Sequence, residues 1–125
     1  MNPVKTIILG AGDRGNAYAE YSKYRDNEMK IVGVAEPCEY YRNGFVKKYS
    51  IEKKYIFETW EDALEFQKFA DAVIIAMPDR MHYAPAIKSL KKDYNILIEK
   101  PMAPTKDECI EMVKASKKYK KVFSI

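Results

Sequence analysis

The sequence has few of the residues that build metal centres and disulfide frameworks. It contains two cysteines, Cys38 and Cys109, and a single histidine, His82. The cysteines lie far apart with no metal-ligand spacing, and one histidine does not complete the ligand set of a structural zinc site. We therefore expect no metal site and two free thiols, which is the usual state in a reducing compartment.

Long hydrophobic runs are missing as well. No apolar stretch approaches the roughly 20 residues that cross a bilayer. The first apolar run, residues 4–9, is short and is interrupted by Lys5 and Thr6, which is unlike the core of a signal peptide. These absences predict a cytoplasmic protein with no membrane partner.

A large excess of positive charge is also lacking, since 22 basic residues face 18 acidic ones and the net charge is +4. Lysine pairs are spread along the chain at 47–48, 53–54, 91–92, 117–118 and 120–121. They lack an aromatic-basic motif such as that of an RNA-recognition sheet, so we interpret them as solvated helix faces and helix ends. We predict no nucleic-acid partner.

Short apolar runs alternate with longer amphipathic stretches along the 125 residues. The runs that resemble strands are 4–9, 30–35, 54–57, 72–76, 95–98 and 122–125, and the stretches that resemble helices are 14–24, 40–49, 60–66, 85–91 and 106–118. This alternation predicts a parallel sheet with right-handed crossovers, and the continuously apolar runs indicate strands buried on both faces. We predict an α/β fold with one doubly wound parallel sheet in the strand order 3-2-1-4-5-6, as a single domain.

Two threonines are predicted to begin helices. Thr59 precedes acidic residues at 61–62, and Thr105 precedes Glu108 at the spacing of a capping box. The last predicted strand reaches the final residue, although chain ends usually fray. We therefore expect this chain to be the first domain of a longer protein.

Three of the five glycines fall within six residues, directly after the first predicted strand. This glycine loop reads Gly10-Ala11-Gly12-Asp13-Arg14-Gly15. In a G-x-G-x-x-G loop between a strand and a helix, Gly10 permits a tight turn, Gly12 lets a pyrophosphate approach the backbone, and Gly15 lets the helix pack on the strand. Free amides and the positive end of the helix dipole then face the phosphates, so the loop is predicted to bind a dinucleotide.

Glu36 ends the second predicted strand, 21 positions after Gly15. A carboxylate there can accept hydrogen bonds from the adenosine ribose and repel a 2′-phosphate, which favours NAD over NADP. Arg14 can offset the charge of Asp13 beside the phosphates, and Arg42 can reach the ribose end, so NADP stays an alternative. S-adenosylmethionine enzymes also combine a glycine-rich loop with an acidic residue after the second strand, so that ligand stays open at this point.

Two further loops follow the fourth and fifth predicted strands. The first begins Ala76-Met77-Pro78 and reaches His82, and the second begins Glu99-Lys100-Pro101. Since the carboxyl ends of parallel strands share one edge of a sheet, both loops are predicted to lie beside the glycine loop. Pro78 stops its strand because its nitrogen cannot donate to a sheet.

Four stretches carry a resemblance to one protein family, namely GAGDRG at 10–15, VAEP at 34–37, ADAVIIAMPDRMHY at 70–83 and ILIEKPMAPT at 96–105. With them the sequence resembles the nucleotide-binding domain of the Gfo/Idh/MocA oxidoreductases, the glucose–fructose oxidoreductase and inositol dehydrogenase group. The resemblance implies a Rossmann domain over residues 1–125, followed by a larger substrate domain that these residues do not include. It also implies hydride transfer between NAD(P) and a sugar, polyol or related hydroxyl compound, in a homo-oligomer.

The resemblance also implies roles for single residues. Lys100 takes the catalytic role, since an ammonium near the nicotinamide can polarise a carbonyl oxygen or help deprotonate an alcohol. Glu99 would position Lys100 or the cofactor, Pro101 would fix the direction of the loop, and His82 would line the cofactor pocket, with a local hydrogen bond as its alternative role. Outside the glycine loop, the predicted cofactor contacts are Glu36, Ala76, Met77, Pro78, His82, Glu99, Lys100 and Pro101. Further acid–base residues belong to the missing domain, so this chain alone is expected to be inactive.

Other functions stay open. An NAD-dependent glycoside hydrolase of the same family oxidises and re-reduces its sugar with no net redox change, a regulator binds the dinucleotide without turnover, and a methyltransferase binds S-adenosylmethionine. The tyrosines at 18, 21 and 24 recur at helical spacing, which predicts packing rather than a role in cofactor binding.

Overall fold

The computed structural model describes residues 2–100 and 102–124 of the chain. Its strands are β1 (Val4–Leu9), β2 (Met29–Ala35), β3 (Ile56–Phe57), β4 (Ala72–Ile75), β5 (Asn95–Ile98) and β6 (Phe123–Ser124). Its α-helices are α1 (Asp13–Ala19), α2 (Tyr21–Tyr24), α3 (Glu39–Tyr49), α4 (Trp60–Glu65), α5 (Tyr83–Lys91) and α6 (Lys106–Lys118). At least one helix lies between each strand and the next, as the apolar pattern predicts.

The strands form one sheet in the order β3-β2-β1-β4-β5-β6, and each pairing is parallel. The predicted doubly wound sheet is therefore confirmed, including its strand order. The direction of winding reverses at β1, whose neighbours are β2 and β4. In folds of this kind ligands bind at such a reversal, outside the carboxyl ends of the strands.

Side chains alternate across the sheet and build an apolar cluster on each face. Ile7 and Leu9 of β1 pack with residues of α4, α5 and α6 on one face. Ile8 packs with Ala19 of α1 and Phe45 of α3 on the other face. Because helices cover both faces of β1, its inner residues Ile7, Ile8 and Leu9 are all apolar and buried rather than alternating with polar ones.

The boundaries differ from the predicted ones mainly at the edge of the sheet. Residues Lys53–Tyr55 form a 3-10 turn, so β3 consists of Ile56–Phe57 alone, paired with Val34 and Ala35. Short edge strands of this kind leave few unpaired backbone groups for another chain to bind. The last predicted strand is found at Phe123–Ser124, and its final residue, Ile125, lies outside the described residues.

The first predicted helix, 14–24, is divided into α1 and α2. Glu20 between them keeps right-handed helical angles, with φ −59° and ψ −27°. Both predicted threonine caps are confirmed, since Thr59 Oγ1 accepts from the amide of Asp62 and Thr105 Oγ1 accepts from the amide of Glu108, each at 3.1 Å. Each cap satisfies an amide in the first turn that has no partner inside its helix.

In the part of the chain that the structure describes, no helix combines the length and the apolar character needed to cross a membrane. Cys38 is exposed and Cys109 is partly buried, and both are free thiols, as predicted. No group of three His, Cys, Asp or Glu side chains in residues 2–100 and 102–124 is arranged to hold a metal ion.

Candidate functional site

The residue after each of four strands lies in a row along the carboxyl edge of the sheet. Each donates its main-chain amide to the last residue of the neighbouring strand. The bonds are Glu36 to Phe57 at 3.1 Å, Gly10 to Ala35 at 2.9 Å, Ala76 to Leu9 at 2.9 Å and Glu99 to Ile75 at 3.0 Å. The fold therefore brings the starts of the predicted loops together at one edge, on both sides of the reversal at β1.

Two glycines of the glycine loop are required by its backbone. Gly10 has φ +99°, a conformation that side chains rarely adopt, and a Cβ there would lie 2.6 Å from the carbonyl oxygen of Ala76. A Cβ on Gly15 would overlap the carbonyl oxygen of Gly10. The tight turn and the close helix packing predicted for these two positions are thus present in the structure.

Gly12 differs from the other two glycines, because a Cβ built on it meets no atom within 4 Å. The space in front of its backbone is open to a ligand. Among the described residues, the main-chain amides of Gly12, Asp13 and Arg14 have no recorded hydrogen-bond acceptor. They are the first donors of α1, where the helix dipole adds positive potential, and this combination suits a phosphate.

Asn16 fixes the backbone of the glycine loop from within α1. Its side-chain amide donates to the carbonyl oxygens of Ala11 at 2.8 Å and Gly12 at 3.0 Å. These two hydrogen bonds fix the orientation of the Ala11 and Gly12 carbonyl groups. No motif in the sequence singled out this residue.

Glu36 faces the glycine loop. Its Oε1 accepts from the amide of Ala11 at 2.7 Å, and its Oε2 accepts from the amide of Cys38 at 2.9 Å. The residue is only 9% exposed. Arg42 braces the same corner, because its Nη1 donates to the carbonyl oxygen of Glu36 at 2.8 Å and its Nη2 lies 3.8 Å from a carboxylate oxygen of Glu58.

A cavity of about 170 Å³ opens beside Glu36, between the ends of β1, β2 and β4. Its walls include Gly10, Pro37, Trp60, Met77 and Met81. These side chains offer flat and adaptable apolar surfaces, which suit an aromatic ring. Met77 is among the predicted cofactor contacts, whereas Trp60, the first residue of α4, is not.

On the other side of β1, Glu99 is held by the first helix. Its Oε2 accepts from the Tyr18 hydroxyl at 2.5 Å and from Arg14 Nε at 3.0 Å. The Arg14 guanidinium also lies 5.3 Å from the centre of the Tyr18 ring. We call these three side chains the Glu99 cluster.

The Glu99 cluster favours the ionised carboxylate. The Tyr18 hydroxyl, followed by the Arg14 guanidinium, lowers the pKa of Glu99 from its ordinary value. The hydrogen bond to Glu99 raises the pKa of both Tyr18 and Arg14. The phenol therefore stays a donor and the guanidinium stays charged.

Lys100 follows Glu99 and is exposed at the start of the loop after β5. Because Glu99 is tied to Ile75 through its amide and to α1 through its side chain, the residue before Lys100 is held at two points. Pro101 lies outside the described residues. The assignment of Lys100 to catalysis stays a prediction, as do the cofactor contacts.

His82 is completely buried. Its Nδ1 lies 3.1 Å from the carbonyl oxygen of Met102, and its Nε2 lies 2.5 Å from the carbonyl oxygen of Met77. The imidazole thus links the loop after β4 to the segment that follows Lys100. The contact with Met77 is local, as in the alternative role, whereas the contact with Met102 joins residues 20 positions apart and was not predicted. The buried side chain presents no surface to the cleft.

Tyr18 is the functional candidate that sequence reasoning missed. Its helical spacing from Tyr21 and Tyr24 predicts packing, and nothing in the sequence connects it to Glu99, which lies 81 positions away. Their contact follows from the topology, since α1 leaves the end of β1 and β5 is the second strand from β1 in the sheet.

Comparison with known proteins bears on this geometry. The sequence model of one family, described as an oxidoreductase family with an NAD-binding Rossmann fold and labelled GFO_IDH_MocA, matches residues 4–125. The match therefore includes the glycine loop, Glu36, the loop after β4 and Lys100.

Individual relatives agree with the family match. A 2,7-anhydro-N-acetylneuraminate hydratase of Escherichia coli K12 is 34% identical over 110 residues, which cover 88% of this chain and 28% of that protein. An inositol 2-dehydrogenase of Rubrobacter xylanophilus is 29% identical over 108 residues, which cover 86% of this chain and 30% of that protein.

Among solved structures, the WlbA dehydrogenase of Chromobacterium violaceum, crystallised with NADH and UDP-GlcNAcA, has the same fold. The TM-score is 0.89 at 23% identity, and the match covers 98% of this chain and 34% of that one. The chain thus spans about a third of the length of the proteins it matches.

Proposed function

The chain belongs to the Gfo/Idh/MocA oxidoreductase family, and on that premise we propose that it is the cofactor-binding part of an enzyme that transfers hydride between NAD and a hydroxyl compound. Residues 1–125 would form the dinucleotide-binding domain, and the substrate would be bound by a further part of the full-length protein. The proposal rests on the cleft at the reversal of the sheet.

The contact between Glu36 and Ala11 is the observation that carries this proposal. It places a carboxylate against the loop on which a pyrophosphate would lie, within reach of the ribose attached to it. An ionised carboxylate has about four acceptor positions, and the amides of Ala11 and Cys38 occupy two of them. The remaining capacity suits the two hydroxyls of a ribose and disfavours a 2′-phosphate, so NAD is the proposed cofactor and NADP the weaker one.

The other parts of the dinucleotide have matching surroundings. The amides of Gly12, Asp13 and Arg14 would hold the pyrophosphate. The apolar cavity beside Glu36 would take the adenine ring. The nicotinamide would then extend to the other side of β1, towards Glu99 and Lys100, because β4 and β5 lie there.

Lys100 is the proposed catalytic residue. The bound nicotinamide supplies the chemistry of accepting or returning a hydride. The Lys100 ammonium would stabilise negative charge on the reacting oxygen, as alkoxide or as polarised carbonyl. The group that exchanges the hydroxyl proton with solvent would come from the further part of the protein, so the 125-residue chain would bind the cofactor without turnover.

The proposed substrate class is a sugar, a polyol or a related hydroxyl compound. The inositol dehydrogenase and the WlbA dehydrogenase support this class by their names. We also propose that the full-length protein is a homo-oligomer. We propose a cytoplasmic location because the free thiols of Cys38 and Cys109 suit a reducing compartment.

The hydratase from E. coli favours a second candidate function. That relative is named for the addition of water, a reaction with no net oxidation. A family member can oxidise a sugar transiently, change a bond at the activated position and return the hydride. In a turnover assay with candidate sugars, accumulation of NADH supports the dehydrogenase, whereas a hydrated or hydrolysed product without NADH supports the redox-neutral enzyme.

Calorimetric titration of the chain with NAD⁺, NADP⁺ and S-adenosylmethionine tests the proposed cofactor. We expect NAD⁺ to bind most tightly, NADP⁺ more weakly and S-adenosylmethionine not at all. Binding of S-adenosylmethionine alone would overturn the proposal in favour of a methyltransferase.

A further inference from the structure

We propose that Tyr18 is a positioning residue for the nicotinamide end of the cleft. It would act through the carboxylate of Glu99 on the start of the loop after β5, which contains Lys100 and is called the Lys100 loop below. The inference rests on the proposed function, because it assumes that the nicotinamide lies on the β5 side of β1.

Glu99 connects α1 to the Lys100 loop through hydrogen bonds of its side chain and its main chain. Its main-chain amide is bonded to Ile75 at 3.0 Å, which fixes the residue to the sheet. Its side chain accepts from Tyr18 and Arg14 through one oxygen, Oε2. With both backbone and side chain held, Glu99 leaves little freedom for the direction in which the chain continues into Lys100.

Tyr18 contributes more to this connection than Arg14 does. The Arg14 side chain is 61% exposed, while that of Glu99 is 19% exposed. An ion pair to such an exposed guanidinium is weakened by water and by salt. The Tyr18 ring is partly buried and has few rotatable bonds, and a hydroxyl that donates to a charged acceptor forms a strong hydrogen bond.

The pKa values agree with this division. The Tyr18 hydroxyl is the largest cause that lowers the pKa of Glu99, ahead of Arg14, and the main-chain amide of Lys100 has a smaller effect of the same sign.

The chain offers a matched control for Tyr18. Tyr21 lies one helical turn further along, and its hydroxyl donates to Glu28 Oε2 at 2.8 Å. This bond has the same chemistry, but Tyr21 is 49% exposed and lines a surface groove with residues of β1, β4 and β5 rather than the cleft.

The test compares Tyr18→Phe with Tyr21→Phe by calorimetry, using NAD⁺ and ADP as probes. ADP carries the adenosine and the phosphates but neither the second ribose nor the nicotinamide. Tyr18→Phe should weaken NAD⁺ binding between about threefold and tenfold, because the energy of one hydrogen bond to a charged group is the most by which loss of the Tyr18–Glu99 bond can disfavour the loop position that binds the nicotinamide. It should change ADP binding less than about twofold, and Tyr21→Phe should leave both ligands as in the unchanged protein.

Two results would overturn the inference. One is that Tyr18→Phe binds NAD⁺ as tightly as Tyr21→Phe does. The other is that Tyr18→Phe weakens NAD⁺ and ADP by the same factor, which would indicate general damage to the fold. If the unchanged chain binds ADP and NAD⁺ with no difference between them, the proposed placement of the nicotinamide fails first, and the inference fails with it.

A double-mutant cycle gives a second readout that a purely structural role would not move. In a Glu99→Ala background, Tyr18→Phe should change NAD⁺ affinity less than about twofold, because there is no carboxylate left to hold. An undiminished effect of Tyr18→Phe in that background would contradict the inference. Circular dichroism melting of each variant verifies that the comparison is made between folded proteins.

Discussion

The carboxylate of Glu36, at the end of β2, accepts a hydrogen bond from the main-chain amide of Ala11 in the glycine loop at 2.7 Å. The bond joins residues 25 positions apart and closes the corner between β1 and β2. The bond satisfies the amide of Ala11, and the amides of Gly12, Asp13 and Arg14 remain available to a ligand. We propose that the same carboxylate binds the ribose next to a pyrophosphate held by this loop.

Replacement of Glu36 by alanine is expected to weaken NAD⁺ binding by about tenfold or more, because the ribose loses a charged acceptor. The preference for NAD⁺ over NADP⁺ should narrow, since the negative charge facing the 2′-position is removed. Calorimetry with both cofactors measures the two effects. Glu39→Ala, an exposed change in the first turn of α3, serves as the control, and an equal loss in both variants would contradict the assignment.

Gly12→Ala should separate cofactor binding from stability. The added methyl group meets no protein atom within 4 Å, so the free energy of unfolding should change by less than about 1 kcal/mol. The same methyl group occupies the approach of the pyrophosphate, so NAD⁺ affinity should fall at least about tenfold. Unchanged affinity would show that the phosphates lie elsewhere.

Gly10→Ala and Gly44→Ala are expected to change the free energy of unfolding in opposite directions. Gly10→Ala should lower the free energy of unfolding by roughly 2 kcal/mol or more, because φ is +99° and the methyl group would lie 2.6 Å from the Ala76 carbonyl oxygen. Gly44 lies inside α3 with open space around it, so Gly44→Ala should raise that energy by roughly 0.5–1 kcal/mol. Urea unfolding of the two variants checks both signs.

His82→Leu should lower the free energy of unfolding by roughly 2 kcal/mol or more, because the buried carbonyl oxygens of Met77 and Met102 lose their shared partner. His82→Gln retains one side-chain donor group, so its free energy of unfolding should fall by a smaller amount. Urea unfolding of both variants measures the difference. If leucine is tolerated as well as glutamine, the imidazole is not the link between the two loops.

The pKa of Glu99 lies below its ordinary value of 4.5 because Tyr18 and Arg14 donate to the carboxylate. Its contribution to the free energy of unfolding is therefore fully present above the unfolded pKa and is lost as the pH falls through the lower pKa of the folded state. Glu99→Gln should flatten the loss of stability on acidification below roughly pH 5. Asp93, whose pKa Lys121 lowers, supplies an independent share, so Asp93→Asn should flatten the same curve by a separate amount. An acid limb that is unaltered in Glu99→Gln would contradict the cluster as described.

Lys100→Ala in the full-length protein should abolish turnover of a sugar or polyol substrate while NAD⁺ affinity changes only slightly, because we propose that the ammonium acts on the reacting oxygen and not on the cofactor. Lys114→Ala, an exposed change on α6, controls for loss of a positive charge. Steady-state kinetics with binding measured in parallel distinguishes the two effects. Turnover that survives Lys100→Ala would remove this residue from the proposed chemistry.

Much of the fold follows from local patterns in the sequence. The bounds of β1, β5 and α6 agree with the predicted ranges, because Gly10 follows β1, the polar residues Glu99 and Lys100 follow β5, and Thr105 caps α6. The run 54–57 was less informative, since a short apolar stretch does not distinguish an edge strand from the 3-10 turn at Lys53–Tyr55 that precedes it.

The candidate site was predictable where a motif lies within one segment and less so where distant segments meet. The turn at Gly10 and the packing at Gly15 belong to a continuous motif. The contacts of Tyr18 with Glu99 and of His82 with Met102 depend on which strands become neighbours. The spacing of residues within one helix or loop does not predict them. The role of Tyr18 and the contact of His82 with Met102 are therefore visible only in the folded sheet.

The measurement that most directly tests the account is a crystal structure of the chain grown with NAD⁺. We expect the pyrophosphate within hydrogen-bonding distance of the amides of Gly12–Arg14 and an adenosine ribose hydroxyl on the carboxylate of Glu36. A nucleotide bound away from the glycine loop, with Glu36 making no contact to it, would contradict the account.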